Sequence, residues 1–146
     1  MNITELLKAD HREVEGLIAQ LEDDGNLETF GKLKNALTMH TQIEEEIYYP
    51  KLEEFVETED LIDEAYEEHN DVDQLLEDMS ETEIPGDDFQ ELLAQLKESI
   101  NHHVEEEENE LFPLSENLLG TETIEEMGDR AEKIKSQLDL SRAKGM

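Results

Sequence analysis

Two segments of the chain pair a histidine with a glutamate four residues later, a spacing that suits metal binding. Both read H-x-x-x-E-E-x-x-x-aromatic-P, with His40, Glu44, Glu45, Tyr49 and Pro50 in the first and His103, Glu107, Glu108, Phe112 and Pro113 in the second. Residues four apart on a helix share one face, with Cβ atoms about 5–6 Å apart. An imidazole and a carboxylate at that spacing can bind one metal ion, so the two motifs predict two metal ions.

The two motifs belong to a longer internal repeat. His11 and His69 are each followed by apolar residues at the third, sixth, seventh and tenth positions after them. The first histidines are 69 − 11 = 58 residues apart, whereas His40 and His103 are 103 − 40 = 63 apart. The repeat therefore predicts two helical hairpins. The second has the longer loop, at residues 80–88, which contains a Pro-Gly pair typical of turns.

Length and composition limit the class of protein. A chain of 146 residues is expected to form a single domain, residues 1–146, with its own core. It has no cysteine, which excludes disulfides, thiolate zinc sites and cysteine-ligated iron–sulphur clusters. The first residues lack the basic and apolar regions of a secretory leader, and no apolar run approaches the length of a membrane span. These features predict a cytoplasmic protein.

The charge balance is strongly acidic. The chain has 42 acidic and 11 basic residues, for a formal net charge of −31. Such a surface repels phosphate backbones and anionic lipids, so we expect neither nucleic acid nor membrane as a partner. Two interpretations of the acidity remain, namely a solvated surface or a docking face for a basic protein partner.

Apolar residues follow helical spacing along nearly the whole chain, without the period-two alternation of strands. The pattern predicts an all-α protein with four main helices that form a core bundle at about residues 4–118. Their expected ranges are 4–22, 28–56, 59–79 and 88–118. A fifth, shorter helix is expected at about residues 123–138, where apolar residues recur at heptad-like spacing. It is expected to pack outside the bundle.

Each of the four main helices places one histidine on its apolar seam, and two of them add a glutamate. These six residues are His11, His40, Glu44, His69, His103 and Glu107. A single histidine in such a position is usually a hydrogen-bonded core residue, but four together with two buried carboxylates favour a metal site, because cations offset the cost of burying charge. His102 is expected at the bundle boundary. Glu45 and Glu108 rotate off the seam and are expected beside the ligands or in solvent.

Ferritin-like bundle sites place a glutamate three residues before a histidine, and no acidic residue holds that position here. The order H, H-x-x-x-E, H, H-x-x-x-E instead resembles the hemerythrin-like family, also called the HHE cation-binding domain, over about residues 10–113. The resemblance implies an up-down-up-down four-helix bundle with two non-haem iron ions and a solvent-derived oxo or hydroxo bridge. His11, His40, His69 and His103 would be terminal ligands, with Glu44 and Glu107 as bridging carboxylates.

The chain departs from the oxygen carriers of that family. Those proteins have a fifth histidine where this chain has Asp73, and an aspartate where it has Glu108. The resemblance therefore favours redox reactivity toward dioxygen, peroxide or nitric oxide, with a possible redox partner. Enzymatic turnover, a non-enzymatic iron or oxygen sensor, and reversible oxygen storage stay open. Histidine and carboxylate ligands also suit zinc or manganese.

Two tyrosines and the prolines complete the candidates. Tyr48 lies four residues after Glu44 and is the catalytic candidate, as a proton or electron donor to a bound oxygen species or as a further ligand. Tyr66, three residues before His69, is a weaker candidate of the same kind, and ordinary core packing is the alternative for both. Pro50 and Pro113 each remove a helical hydrogen bond, which either kinks the helix or begins a new segment.

Overall fold

A computed structural model describes the backbone of residues 1–144 and the side chains of residues 1–138, and within that part of the chain every regular element is helical. The first hairpin comprises α1 (Ile3–Asp24) and α2 (Leu27–Ile43), which continues through a π-helical turn (Glu44–Tyr48) into α3 (Tyr49–Leu52). A 3-10 turn (Val56–Thr58) leads to α4 (Glu59–Ser80), and α5 (Asp87–Glu106) continues through a second π-helical turn (Glu107–Leu111) into α6 (Phe112–Leu119). The last helix is α7 (Thr121–Lys144). The predicted all-α bundle of four long helices, followed by a C-terminal helix, is confirmed.

The first hairpin is closed by local capping. The Asn2 side chain accepts a hydrogen bond from the Glu5 amide and caps α1, and the Asn26 side chain accepts one from the Glu28 amide and caps α2. Gly25 ends α1 with a φ of 56°, a left-handed conformation that favours glycine. The two helices are therefore joined by a tight turn, which sets α2 antiparallel to α1.

The prolines follow the two π-helical turns. In each turn the amide five residues after the seam glutamate bonds back to it: Tyr49 N–H donates to the Glu44 carbonyl and Phe112 N–H donates to the Glu107 carbonyl. Pro50 and Pro113 then lie in the first turn of α3 and α6, where a missing amide costs little. The prolines thus begin new helical segments. The widened turns fall at the glutamates of both motifs, and such turns are frequent at functional sites.

The apolar core has two parts, one on each side of the buried histidines. The part nearer the hairpin turns includes Val14, Leu33, Leu37, Val72, Leu96 and Val104, and the other includes Ile3, Leu7, Ile47, Tyr48, Tyr49 and Phe112. The polar residues of the motifs therefore lie in a layer between two apolar layers. Among the described residues, no helix is long and apolar enough to cross a membrane.

The C-terminal helix differs from its expected length. It begins at Thr121 and reaches Lys144, rather than spanning 123–138, because residues 129–144 contain neither glycine nor proline. Helix α7 packs outside the four-helix bundle, mainly along α1, and buries Ile124, Met127 and Ala131 in the second part of the core. A Cβ at Gly128 would clash with the backbone of the first two residues, so glycine permits this close approach.

Candidate metal centre

The six seam residues come together in the middle of the bundle, and all six are buried. Helix α1 supplies His11, α2 supplies His40, α4 supplies His69 and α5 supplies His103. The first residue of each π-helical turn is one of the two glutamates, Glu44 or Glu107. At this centre, the buried groups that could hold a metal ion are His11, His40, Glu44 and Glu107, and Glu44, His69 and His103.

The histidines are arranged as one pair from each hairpin. The ring centroids of His11 and His40 are 5.0 Å apart, and those of His69 and His103 are 5.1 Å apart. Across the hairpins, His11 and His103 are separated by 6.5 Å. The bundle thus presents two imidazole pairs, each suited to one cation.

Each glutamate lies between the two pairs. Glu44 Oε1 is 3.1 Å from His40 Nε2 in the first pair and 3.0 Å from His69 Nε2 in the second. Glu107 Oε1 is 3.0 Å from His11 Nε2 in the first pair and 3.2 Å from His103 Nε2 in the second. Both carboxylates are therefore placed where they could bridge two cations.

The outer nitrogen of each of the four histidines at the centre contacts a carboxylate. The Nδ1 atoms contact Glu108 from His11 (2.7 Å), Asp10 from His40 (3.0 Å), Glu45 from His69 (2.7 Å) and Glu68 from His103 (2.8 Å). A hydrogen on Nδ1 leaves the Nε2 lone pair free to face the centre. This carboxylate–histidine arrangement is the usual support of a metal-binding imidazole, since it fixes both tautomer and ring orientation.

The supporting carboxylates follow the repeat. Asp10 and Glu68 directly precede the first histidine of each hairpin, and Glu45 and Glu108 directly follow the seam glutamates. Glu45 and Glu108 are expected beside the ligands or in solvent, and their contacts with His69 and His11 favour the first alternative. Asp10 and Glu68 are not among the residues predicted from the sequence, although an acidic residue before the histidine in both copies is a detectable signal.

Three inward-facing atoms, namely His40 Nε2, His103 Nε2 and Glu44 Oε2, are fully buried and make no hydrogen bond. The two imidazole nitrogens lie beside glutamate oxygens without forming one. Buried polar atoms are rarely left without a partner, because each one costs about 1–3 kcal/mol. Four imidazole nitrogens and two carboxylates form a donor set that suits first-row transition metals. Cations held between the two imidazole pairs fit this arrangement, because they would bind the atoms that make no hydrogen bond.

The sequence also matches the pattern of the hemerythrin HHE cation binding domain over residues 2–115. The chain belongs to the hemerythrin HHE cation binding family. A solved HHE cation binding domain-containing protein from Mycobacterium kansasii is similar in fold, with a TM-score of 0.76 and 27% identity over 100% of this chain and 95% of that chain. The chain is also 30% identical over 142 residues to a DNA nickase from Nostoc sp.. That match covers 94% of this chain but only 40% of the nickase.

In this HHE domain the phenol that reaches the centre is Tyr49. Its hydroxyl donates a hydrogen bond to Glu107 Oε2 at 2.8 Å and lies 3.3 Å from His69 Nε2. The hydroxyl of Tyr48, the expected catalytic candidate, is instead hydrogen-bonded to Ser115 Oγ at 2.7 Å. Tyr49 rather than Tyr48 therefore lies beside the centre, because the π-helical turn adds one residue per turn and shifts the next residue onto the inner face. The catalytic role expected of Tyr48 stays a prediction.

The other candidates lie outside the donor set. Tyr66 donates a hydrogen bond to Glu53 on the bundle surface. Asp73 is exposed on α4, and Glu108 contacts the outer nitrogen of His11 rather than the centre. His102 is exposed, as its expected boundary position requires. Within the part of the chain that has described side chains, the two buried groups at the centre thus consist of the six seam residues.

The charges at the centre are strongly coupled. Burial lowers the pKa of His40, but the charge of Glu44 and the hydrogen bond with Asp10 outweigh it and raise that pKa to about 10. Burial raises the pKa of Glu44, and the charge of His40 together with hydrogen bonds to its neighbours brings it well below its usual value. Without cations, a proton on His40 therefore balances the charge of Glu44. Metal binding must displace this proton.

A cavity opens beside the centre, on the side of the hairpin turns. It is lined by the four histidines, Thr41 and Glu68, and otherwise by the apolar side chains of Val14, Leu37, Val72, Ile100 and Val104. Its volume is about 30 Å³, which is room for about two water-sized molecules. The cavity suits a small molecule without charge.

Proposed function

We propose that the protein holds two iron ions at this centre and reacts with dioxygen, peroxide or nitric oxide. The main observation behind the proposal is the alternation of donors: one oxygen of each buried glutamate lies between a histidine of the first hairpin and a histidine of the second. His11 and His40 would hold one ion, and His69 and His103 the other. Glu44 and Glu107 would bridge them. When bound, the ions would supply the redox chemistry.

The side chains around the centre have defined tasks in this proposal. Asp10, Glu45, Glu68 and Glu108 accept from the outer imidazole nitrogens and keep the inner nitrogens directed at the ions. Tyr49 fixes the orientation of Glu107 through its hydrogen bond and holds a proton beside the centre. Burial and the nearby carboxylates raise the pKa of Tyr49 well above its usual value, so the phenol keeps that proton at neutral pH.

The small cavity supports the class of reactant. Its non-ligand lining is mainly apolar, and its volume admits a diatomic molecule or peroxide but excludes larger organic substrates. The acidic surface, with a net charge of −31, would repel an anionic substrate. Iron is proposed on the family resemblance, since the donors alone also suit zinc or manganese.

Two alternative functions, a sensor and an oxygen store, lead to different expected behaviour. A non-enzymatic sensor would couple iron occupancy to order in the protein, and an oxygen store would release its ligand unchanged. The position of the carriers' fifth histidine is taken here by the exposed Asp73, which argues against storage. The activity named for the Nostoc relative is not proposed for this chain, because the net charge opposes contact with DNA. A cytoplasmic location stays a prediction.

Metal analysis of anaerobically loaded protein tests the bridging arrangement. The wild-type chain should bind about two iron ions, whereas Glu44→Ala combined with Glu107→Ala should lose the pair. Glu46→Ala combined with Glu105→Ala removes the same formal charge from exposed positions and should still bind two. Circular dichroism of the metal-free proteins checks that the variants fold. Full loading of the first double variant would contradict the proposal.

The reaction itself is tested by stopped-flow mixing of the reduced, iron-loaded protein with oxygen or peroxide. We expect oxidation of the centre without a long-lived adduct that is reversed under vacuum. A stable oxygenated species that releases oxygen would favour storage. If circular dichroism showed that the protein is ordered only when iron is bound, and no oxidation followed, the sensor function would be preferred.

A further inference from the structure

A second constellation of metal-binding groups lies on the outer side of α4 and α5. It consists of Glu64, Glu68, His102 and Glu106, whose ligand atoms all lie within 4.8 Å of one another. His102 Nε2 is 3.5 Å from Glu64 Oε1, 3.3 Å from Glu68 Oε2 and 3.5 Å from Glu106 Oε2. We refer to these four residues as the outer cluster. It differs from an ordinary acidic patch because three carboxylates surround one imidazole nitrogen.

The distances from His102 to its three neighbours match those in a coordination shell. In a tetrahedral site with bonds of about 2.1 Å, neighbouring ligand atoms are about 3.4 Å apart. The three distances from His102 Nε2 to the carboxylate oxygens agree with that value within about 0.1 Å. Because the ligand atoms of all four residues lie within 4.8 Å of one another, one imidazole and three carboxylates can converge on a divalent cation here.

Glu68 joins the outer cluster to the buried centre. Its Oε1 atom receives the hydrogen bond from Nδ1 of His103, a candidate metal-binding residue of the centre. Its Oε2 atom lies 3.3 Å from His102 Nε2, is fully buried and makes no hydrogen bond. A buried carboxylate oxygen without a hydrogen bond is costly. A cation in the outer cluster would bind this oxygen.

A small cavity lies between the outer cluster and the buried centre. It is lined by Glu68 and Glu106 of the outer cluster, by His103 and Glu107 of the centre, and by the apolar side chains of Leu61, Ala65 and Leu111, and its volume is about 10 Å³. That is about the space of one water molecule. Side chains of both groups therefore line one water-sized space.

We propose that the outer cluster is a third divalent-cation site and that it passes cations to the buried centre. Glu64, His102 and Glu106 capture the ion at the surface, and Glu68 draws it toward the interior. The transfer role rests on the proposed centre, whereas the binding role does not. Ligand chemistry admits ferrous, zinc or manganese ions.

Zinc binding provides the test of the third site. We expect equilibrium dialysis with elemental analysis to give three zinc ions per wild-type chain, the third one weaker. His102→Ala combined with Glu64→Gln should lower the affinity for the third zinc ion at least tenfold and leave the other two ions bound. Glu91→Gln combined with Glu98→Gln, at exposed positions of α5, is a charge control and should retain three. Equal losses in both variants would mean diffuse attraction to the acidic surface and would overturn the proposal.

The same experiment separates this proposal from that of the buried centre. In Glu44→Ala combined with Glu107→Ala, one zinc ion sensitive to His102→Ala should remain. If the wild type bound only that ion, the proposal of the buried centre would be contradicted and that of the outer site supported. If the wild type bound two ions insensitive to His102→Ala, the proposal of the outer site would be contradicted and that of the buried centre supported.

Uptake kinetics test the transfer. With zinc supplied below saturation, filling of the centre in the metal-free protein should be at least threefold slower in His102→Ala combined with Glu64→Gln, and the charge control should fill at the wild-type rate. The final occupancy of the centre should be the same in all three. Identical filling rates would overturn the transfer role.

Discussion

Tyr49 and Phe112 occupy equivalent positions of the two repeats, and each ring stacks on a histidine of the centre. The Tyr49 ring lies 5.5 Å from that of His69, and the Phe112 ring lies 5.8 Å from that of His11. Only Tyr49 has a hydroxyl, which donates a hydrogen bond to Glu107. The duplicated centre is therefore symmetric in its donors but asymmetric in the one phenol that touches it.

Tyr49→Phe tests this asymmetry. The variant makes the two repeats alike at this position, so stacking is kept and only the hydroxyl is lost. A hydrogen bond to a charged group contributes about 1.5–3 kcal/mol. We expect the variant to bind two metal ions but to oxidise at a rate changed by about tenfold, because Glu107 is no longer oriented by the phenol. Stopped-flow absorbance measures this rate.

Tyr48→Phe is the matched control for that experiment. Tyr48 is also buried, but its hydroxyl is hydrogen-bonded to Ser115. The control should lower stability to unfolding by about 1 kcal/mol and leave the oxidation rate near that of the wild type. If Tyr48→Phe changed the rate and Tyr49→Phe did not, the results would favour Tyr48 as the catalytic residue that the sequence predicts.

The sequence predicts the bundle and the six seam residues because both depend on helical periodicity. His11 and His69 stand on seams whose apolar residues recur every three or four positions, so their inward direction can be deduced before the structure is seen. Periodicity fails where the helix widens. The π-helical turns after Glu44 and Glu107 change the register by one residue, and Tyr49 rather than Tyr48 reaches the centre.

The supporting carboxylates are harder to predict from the sequence for another physical reason. Asp10 and Glu68 each lie one position before a histidine of their own helix, yet they contact a histidine on the neighbouring helix. Such contacts depend on helix rotation and on the distance between helices. Spacing within one helix does not determine either quantity.

Asp10→Asn tests the support of the first imidazole pair. Asp10 is buried and contacts both His40 and Lys135. Loss of a carboxylate behind a metal-binding imidazole typically costs 10–100-fold in affinity or activity, so we expect about that loss at the ion held by His11 and His40. Competition with a chromophoric chelator measures each affinity separately.

Glu45→Gln is the counterpart for the second pair, because Glu45 supports His69. The substitution should lower the affinity for the ion held by His69 and His103 by a comparable or smaller factor, since Glu45 is more exposed than Asp10. Glu46→Gln, on the next exposed residue, should change neither affinity. Equal weakening of both ions by either variant would contradict the assignment of one histidine pair to each ion.

Gly128→Ala tests the docking of α7 on the bundle. A methyl group at this position would meet the backbone of Met1 and Asn2, which cannot yield as a flexible side chain would. We expect a loss of about 1–3 kcal/mol in unfolding free energy, typical of overpacking. Urea denaturation followed by circular dichroism measures it. Gly16→Ala provides the control, because a Cβ there meets nothing and alanine favours a helix.

Metal removal and pH should act together on stability. The pKa of His40 is raised in the folded metal-free protein to about 10 from 6.5. Because protonation of His40 is favoured more in the folded than in the unfolded state, it stabilises the fold fully below about pH 6.5. This stabilisation is lost as the pH rises toward 10. We therefore expect the thermal midpoint of the metal-free protein to fall between pH 6.5 and 9.5. High salt screens the repulsion among surface carboxylates, so midpoints measured in high salt report mainly the effect of the buried His40.

Bound cations should reverse that trend. They compete with protons for the imidazole nitrogens, so affinity rises with pH and the stabilisation by a fixed excess of zinc grows with it. The difference in thermal midpoint between zinc-loaded and chelator-treated protein should thus be larger at pH 9 than at pH 6.5, and acid should release the metal. Equal midpoints with and without metal at every pH would mean that His40 and its partners are ordinary hydrogen-bonded core residues.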